Sequence, residues 1–181
     1  RHANELGLTV VTTEYPLTPE RDFAEMIRHV LRVLVEVDDG LPLILAGQSA
    51  GGGLAAATAL AARDAGVQIA GLLLICPMLG VADTASTVQF AHDPCWSAVS
   101  NVTAWNAALN QTSVSAPLDA DDLSGLPPVY LDSGSAELFR GAVSAFAGAV
   151  WAVGGRAELH VWSGAFHGSD GVNETAVVSR E

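Results

Sequence analysis

The stretch LPLILAGQSAGGG, residues 41–53, joins two kinds of sequence that predict two kinds of structure. Residues 41–46 are wholly apolar, as is typical of a short strand buried on both faces. The alanine-rich sequence that follows, from Ala50 to about Asp64, predicts a helix that is stopped by Gly66. A strand followed at once by a helix leaves Ser49 on the tight turn between them.

The turn GQSAG, residues 47–51, raises the question of whether Ser49 is a nucleophile or one small residue in a glycine-rich turn. In such a tight turn, side chains two residues before and after the serine would collide, which predicts that both positions need glycine. The backbone N–H of Ala50, at the helix N-terminus, would then stabilise a negatively charged oxygen beside the serine. A serine hydroxyl is a weak nucleophile, so the chemistry also needs a base and an acid from elsewhere in the chain.

Strands and helices alternate over most of the chain. Besides the elements above, we predict strands at residues 8–14, 69–76, 129–132 and 157–162, and helices beginning at Asp22 and near Leu138. Five strands with intervening helices predict an α/β fold with a mostly parallel sheet that helices cover on both faces.

Residues 78 to about 126 interrupt this alternation, because Asp, Ser, Thr, Asn and Pro are frequent there. A loop-rich insertion of this length inside a compact domain is usually functional, for example as a cap or lid. Trp96 and Trp105 lie within it, and we expect them to pack the insertion rather than to contact a substrate. The domain prediction is therefore one α/β domain over residues 1–181 with a cap-like insertion.

Candidates for the base and the acid follow the last two predicted strands. His167 comes after the strand at 157–162 and fits the base in the chain order serine, acid, histidine. His160 lies within that strand and is interpreted as a packed or surface residue. Two carboxylates, Asp132 and Glu137, lie near the end of the preceding strand. We favour Glu137, because it starts a predicted helix whose dipole stabilises the ionised form, and keep Asp132 as the alternative.

The composition excludes several classes of function. The 181 residues are 50% hydrophobic and 15% charged, which is typical of a globular domain. The formal net charge of −12 repels phosphate backbones and anionic lipids, so we expect neither nucleic acid nor a membrane surface as a partner. No apolar run reaches the roughly 18 residues of a membrane helix, and no basic-then-apolar leader opens the chain. These features predict a soluble, cytoplasmic protein without membrane insertion.

The spacing of cysteine and histidine indicates no metal site. Cys76 lies in an apolar run and Cys95 in a polar segment far from it, which matches neither a disulfide framework nor a metal-ligand cluster. We expect both thiols to be inert. His92 and Asp93 beside Cys95 have metal-capable side chains, but their spacing matches no zinc signature. We therefore expect no metal and no cofactor.

Four stretches of the chain together carry a resemblance to a known family. They are EYPLTPE (14–20), GQSAGGGLA (47–55), LSGLPPVYLDSGSAELFR (123–140) and GGRAELHVWSGAFHGSD (154–170). They resemble the hormone-sensitive-lipase-like esterases, a family also called α/β-hydrolase fold-3. The resemblance implies an α/β-hydrolase fold with Ser49 as nucleophile, Glu137 as acid and His167 as base. It also implies small, uncharged or aromatic esters with short acyl chains as substrates, and no cofactor.

Three features depart from the family pattern. Gln48 stands where the family usually has aspartate before the serine, and Gly141 stands where it has an acidic residue after the arginine. The His-Gly-Gly stretch that supplies the remaining oxyanion amides, upstream of EYPLTPE in the family, is absent from the chain. The first strands and the N-terminal cap helices of the family are absent as well. The resemblance thus implies an N-terminally truncated fold.

These observations lead to one function hypothesis and two alternatives. The hypothesis is a serine ester hydrolase in which Ser49 attacks a small-molecule ester, with His167 as base, and water then releases the acid. The first alternative is a non-catalytic small-molecule-binding relative of the same fold. The second is a truncated chain that is not an independent functional unit. Assembly as a homodimer is left open.

Overall fold

The computed structural model describes residues 7–110 and 112–172. In chain order its elements are α1 (Phe23–Glu36), β1 (Ile44–Gln48), α2 (Ala50–Asp64), β2 (Gly71–Ile75), α3 (Ala85–Gln89), α4 (Ala98–Ala108), a 3-10 helix (Pro117–Asp119), β3 (Val129–Gly134), α5 (Arg140–Ala152), β4 (Ala157–Trp162) and α6 (Ser169–Val172). The predicted alternation of strands and helices is confirmed.

The strands form one parallel sheet in the order β1-β2-β3-β4. Its register pairs Gln48 with Ile75 and Gly134 with Trp162, so the strands end close to the same level. Because all four strands run in one direction, the segments that follow them meet at one edge of the sheet. The predicted parallel α/β fold is confirmed, and this edge is where the candidate site lies.

The helices pack on one face of this sheet. Strands that follow one another in spatial order through right-handed crossovers place every connecting helix on the same side. On that side Leu74 and Leu131 are fully buried, whereas on the opposite side Leu73 is half-buried and Ile44 is 58% exposed. The predicted cover on both faces is therefore confirmed for one face only within residues 7–110 and 112–172. A doubly covered sheet would need a reversal of strand order, which these four strands do not make.

Two predictions about strands were wrong. Residues 8–14 form no strand in the described part of the chain, and Val10 is 64% exposed. β-branched sequence favours extended backbone, but a strand forms only where a neighbour accepts its hydrogen bonds. The run at 41–46 is not buried on both faces, because β1 lies at an edge of the described sheet and Leu41 is 70% exposed.

Helix α1 connects the N-terminal part of the chain to the core. Its N-cap is Asp22, whose Oδ1 accepts a hydrogen bond from the backbone N–H of Glu25 at 2.8 Å. A buried stripe then packs against α2, made up of Phe23, Ile27, Val30 and Leu34. The predicted helix from Asp22 is confirmed, and small residues of α2 allow the two helices to approach closely.

The insertion contains more regular structure than predicted, because α3, α4 and the 3-10 helix lie within it. Trp105 is 4% exposed and packs edge-to-face against Phe23, with ring centroids 5.3 Å apart. The indole N–H of Trp96 donates to Oδ1 of Asn101 at 3.4 Å. Trp105 thus packs the insertion against α1, and Trp96 bonds within the insertion. None of the described helices is long and apolar enough to cross a bilayer.

Because one face of the sheet is buried and the other exposed, substitutions on the two faces should differ in their effect on stability. Leu131→Ala removes a side chain that is 0% exposed, and we expect a loss of about 2–5 kcal/mol in the free energy of unfolding. Ile44→Ala, on the opposite face and 58% exposed, should lose less than about 1 kcal/mol. Urea denaturation of the two variants and the unchanged chain measures both values. Equal losses would show that the second face is buried after all.

Candidate active site

Ser49 lies on the turn between β1 and α2 in a backbone conformation that serine rarely adopts. Its φ is 53°, in the left-handed region, so neighbouring contacts must hold it. Two backbone hydrogen bonds do so: the N–H of Ser49 donates to the carbonyl of Ile75 at 2.9 Å, and the N–H of Met78 donates to the carbonyl of Ser49 at 2.9 Å. The end of β2 and the segment that follows it therefore hold the backbone of Ser49 in this conformation.

The two glycines of the turn differ in how much space they have. A Cβ on Gly47 would lie 2.2 Å from the carbonyl oxygen of Gly51, which no real contact allows. A Cβ on Gly51 would meet nothing within 4 Å. The prediction that both positions need glycine is thus confirmed for Gly47 and wrong for Gly51. The collision at Gly47 is with backbone rather than with the opposite side chain.

The structure brings the three residues predicted for catalysis together. The hydroxyl of Ser49 lies 2.9 Å from Nε2 of His167, although 118 residues separate them along the chain. Nδ1 of the same ring lies 2.6 Å from Oε2 of Glu137. The side chain of His167 is 17% exposed and that of Glu137 is 1% exposed. A buried carboxylate, a ring and a hydroxyl therefore form one continuous chain of hydrogen bonds.

Glu137 lies on the turn after β3 (residues 135–139, the acid turn) and is held by the last two residues of β3, not by a helix. Its Oε1 accepts from the hydroxyl of Ser133 at 2.7 Å and from the N–H of Gly134 at 2.6 Å. Helix α5 begins only at Arg140, so the expectation that Glu137 starts a helix was wrong. These donors, together with His167, satisfy a carboxylate that would otherwise be costly to bury.

The loop that carries His167 packs directly on this acid turn. The N–H of Ala136 donates to the carbonyl of Ala165 at 2.9 Å, and the N–H of Gly164 donates to the hydroxyl of Ser135 at 2.8 Å. A Cβ on Gly134 would lie 2.2 Å from the same Ala165 carbonyl oxygen. Glycine at this position therefore lets the two loops approach closely enough for the acid to reach the ring.

The surroundings of His167 favour its protonated form. Burial acts to lower the pKa of His167, but the side chains of Cys76 and Glu137 outweigh it and raise the pKa from 6.5 to about 10. The Glu137 carboxylate, 2.6 Å from Nδ1, thus favours a proton on the ring.

The alternative acid, Asp132, bonds to other partners. Its Oδ1 accepts from the backbone N–H of Cys76 at 2.9 Å, and its Oδ2 accepts from the indole N–H of Trp162 at 3.1 Å. His160 stacks on Tyr130 and lies 2.8 Å from a carboxylate oxygen of Glu158, in keeping with the predicted packed or surface position.

Two residues beside the ring were missed in the sequence. Cys76, expected to be inert, is 6% exposed and its side chain helps to raise the pKa of His167. Phe139 is 1% exposed and packs edge-to-face on the same ring, with centroids 5.0 Å apart. Cys76 could have been found from its position, because it follows β2 at the edge of the sheet where Ser49 follows β1. In the described part of the chain, no three His, Cys, Asp or Glu side chains cluster as metal ligands.

The insertion contacts the acid turn through Ser86. This buried serine donates from its hydroxyl to the carbonyl of Leu138 at 2.9 Å and accepts from the N–H of Gly141 at 3.0 Å. A Cβ on Gly141 would lie 2.3 Å from the hydroxyl of Thr84. Glycine in place of the acidic residue expected at 141 therefore makes room for the insertion.

The chain is similar to known proteins over most of its length. A family model described as alpha/beta hydrolase fold matches residues 1–170. LipR of Mycobacterium tuberculosis, an acetyl-hydrolase by name, is 33% identical over 138 residues, which cover 70% of this chain and 44% of LipR. The chain spans about half the length of the curated relatives it matches.

Solved structures resemble almost all of the chain. Esterase LipW from Mycobacterium marinum superposes with a TM-score of 0.89 at 29% identity, covering 98% of this chain and 60% of LipW. A bacterial heroin esterase superposes with a TM-score of 0.86 at 35% identity, covering 97% of this chain and 61% of that protein.

The glycines of the serine turn give a matched pair of variants. Gly47→Ala forces the backbone of the turn apart, and we expect it to lower the free energy of unfolding by at least about 1–3 kcal/mol. Gly51→Ala fills open space inside a helix and should raise stability by up to about 1 kcal/mol. Thermal unfolding of both variants tests the difference. A Gly47→Ala protein as stable as the Gly51→Ala protein would contradict the observed close approach.

Proposed function

The chain belongs to the alpha/beta hydrolase fold family, and from this premise we propose that it is a serine ester hydrolase in which Ser49 is the nucleophile, His167 the base and Glu137 the acid. The observation that carries the proposal is the unbroken hydrogen-bond chain from the Ser49 hydroxyl through both ring nitrogens to Glu137, with links of 2.9 and 2.6 Å. A serine hydroxyl needs a base in contact and an orienting acid behind that base, and this chain supplies both.

The proposed reaction proceeds by acyl transfer. With the Nδ1 proton of His167 donated to Glu137, the lone pair of Nε2 faces Ser49 and takes its proton as Oγ attacks the ester carbonyl carbon. The ring then gives that proton to the departing alkoxide, which leaves an acyl group on Ser49. Water then attacks the acyl carbonyl carbon while His167 takes a proton from that water. The ring returns the proton to the Ser49 oxygen as the acyl C–O bond breaks and the carboxylic acid leaves. Glu137 stabilises the imidazolium that forms in each half of the reaction.

The N–H of Ala50 is the proposed oxyanion donor. As the first residue of α2 it has no intrahelical acceptor for its N–H, and it adjoins the nucleophile at the positive end of the helix. A hydrogen bond to the oxyanion formed only in the transition state accelerates the chemical step. Removing one such donor typically costs about 10² to 10³ in turnover, so the N–H of Ala50 should contribute strongly to the rate.

The proposed substrates are small, uncharged or aromatic esters with short acyl chains. The names of the relatives support this class, since LipR is an acetyl-hydrolase by name and the similar structures are esterases by name. The charge of the chain supports it as well, because a formal net charge of −12 disfavours anionic esters. No metal or cofactor enters the proposed reaction.

The nucleophile is tested with a covalent probe. A fluorophosphonate should label the chain at Ser49, and Ser49→Ala should abolish both labelling and hydrolysis of a p-nitrophenyl short-chain ester. Ser144→Ala, which alters an exposed serine of α5, is the control and should behave like the unchanged chain. Mass spectrometry of the labelled peptide identifies the serine. Label on another serine, with Ser49→Ala active, would overturn the assignment, whereas no label at all would favour the non-catalytic alternatives.

The pH profile tests His167 and Glu137 together. A base must be neutral, and the pKa of His167 is raised, so kcat/KM should rise with pH through an ionisation above 6.5. Glu137→Gln removes the charge that raises this pKa, so the ionisation should move to lower pH while turnover falls about 10²-fold or more. Asp132→Asn should leave the ionisation nearly unchanged and lower turnover by no more than about threefold. If Asp132→Asn caused the larger loss, Asp132 would be the acid.

A further inference from the structure

Asp132 has no part in the proposed chemistry, yet its carboxylate joins the two segments that carry the reacting groups. We propose, resting on the proposed function, that Asp132 is a positioning residue that fixes the separation of Ser49 and His167 by tying the end of β2 to the end of β4. The two hydrogen bonds of its carboxylate, at 2.9 and 3.1 Å, are the observations from which this follows.

The first hydrogen bond holds the segment that braces Ser49. Oδ1 of Asp132 accepts from the N–H of Cys76, whose φ of 36° lies in the left-handed region and therefore needs an external contact. Cys76 is flanked by Ile75 and lies two residues before Met78, the residues whose backbone groups bond to Ser49. A carboxylate that fixes Cys76 therefore fixes the brace of the nucleophile.

The second hydrogen bond holds the start of the loop that carries the base. Oδ2 of Asp132 accepts from the indole N–H of Trp162, the last residue of β4. The carbonyl of Trp162 in turn accepts from the N–H groups of Ser135 and Ala165, at 2.9 and 3.3 Å. Ala165 lies two residues before His167, so the position of the indole is transmitted to the ring.

The link needs a side chain on the middle strand, β3, that accepts one hydrogen bond from the segment after β2 and another from the end of β4. β2 and β4 are not neighbours, since β3 lies between them, and two strand spacings put them about 10 Å apart. The residue at this position of β3 reaches both, because a carboxylate accepts in two directions. A displacement of about 1 Å between reacting groups costs roughly 10²-fold in rate, so a link that sets their separation bears on turnover.

Kinetics of four single variants and one double variant test the proposal. Asp132→Leu removes both acceptors, and we expect kcat to fall about 30-fold with KM changed less than about twofold. Asp132→Asn keeps the acceptor for the N–H of Cys76 and loses the acceptor for the indole N–H of Trp162, so its kcat should fall only about threefold. The kcat of Trp162→Phe should fall by a similar factor. Because these two changes break the same hydrogen bond, combining them should cost no more than either alone. Glu158→Gln, which alters an exposed carboxylate on β4, is the control, and its kcat should not change.

A second readout separates this proposal from the proposed function. In ¹H–¹⁵N NMR spectra, Asp132→Leu should shift or broaden the His167 Nδ1–H resonance and Glu158→Gln should not, whether or not the chain hydrolyses esters. If the chain without substitutions neither reacts with fluorophosphonate nor hydrolyses esters, the proposed function is overturned. The NMR result then decides the role of Asp132 by itself. If Asp132→Leu does not fold, Trp162→Phe carries the test. Unchanged ring resonances and unchanged kcat in the folded variants would overturn the positioning role.

Discussion

The backbone of Gly47 runs against the carbonyl of Gly51 at a distance that leaves no room for a Cβ, and the candidate site depends on this approach. The turn it permits is tight enough to lift Ser49 out of the sheet with a φ of 53°. A second approach of the same kind, Gly134 against Ala165, brings the acid turn beside the histidine loop. Side chains can then complete the site with ordinary hydrogen bonds, because these two backbone contacts have already set the spacing.

Much of the site followed from the order of elements along the chain. Parallel strands end at one edge of the sheet, so a serine, a carboxylate and a histidine that each follow a strand are expected to meet. The structure does bring Ser49, Glu137 and His167 within hydrogen-bond distance. The reason given for choosing Glu137 was nevertheless wrong. Ser133 and Gly134 at the end of β3 stabilise this carboxylate, and the helix begins three residues after Glu137.

What the sequence could not predict depends on neighbours distant in the chain. Whether residues 8–14 form a strand, and whether β1 is buried, depends on which strand lies alongside, and an apolar pattern does not contain that information. The contact between Asp132 and Cys76 spans 56 residues and arises from the register of β2 on β3. Side-chain type predicted the chemistry of these residues, whereas register decided which of them touch.

The contact of Ser86 with the acid turn bears on how such a protein can diversify. Insertions of this kind are natural places for sequence to vary, because a loop on the surface tolerates exchange. Here the buried hydroxyl of Ser86, in the insertion, bonds to the backbone of Leu138 and Gly141. Glycine at position 141 leaves room for the insertion at this contact. A chimera that exchanged residues 78–126 wholesale would also exchange one wall of the acid turn. A new insertion would therefore have to fit against Gly141 and replace the hydrogen bonds of Ser86, in addition to joining the chain at its two ends.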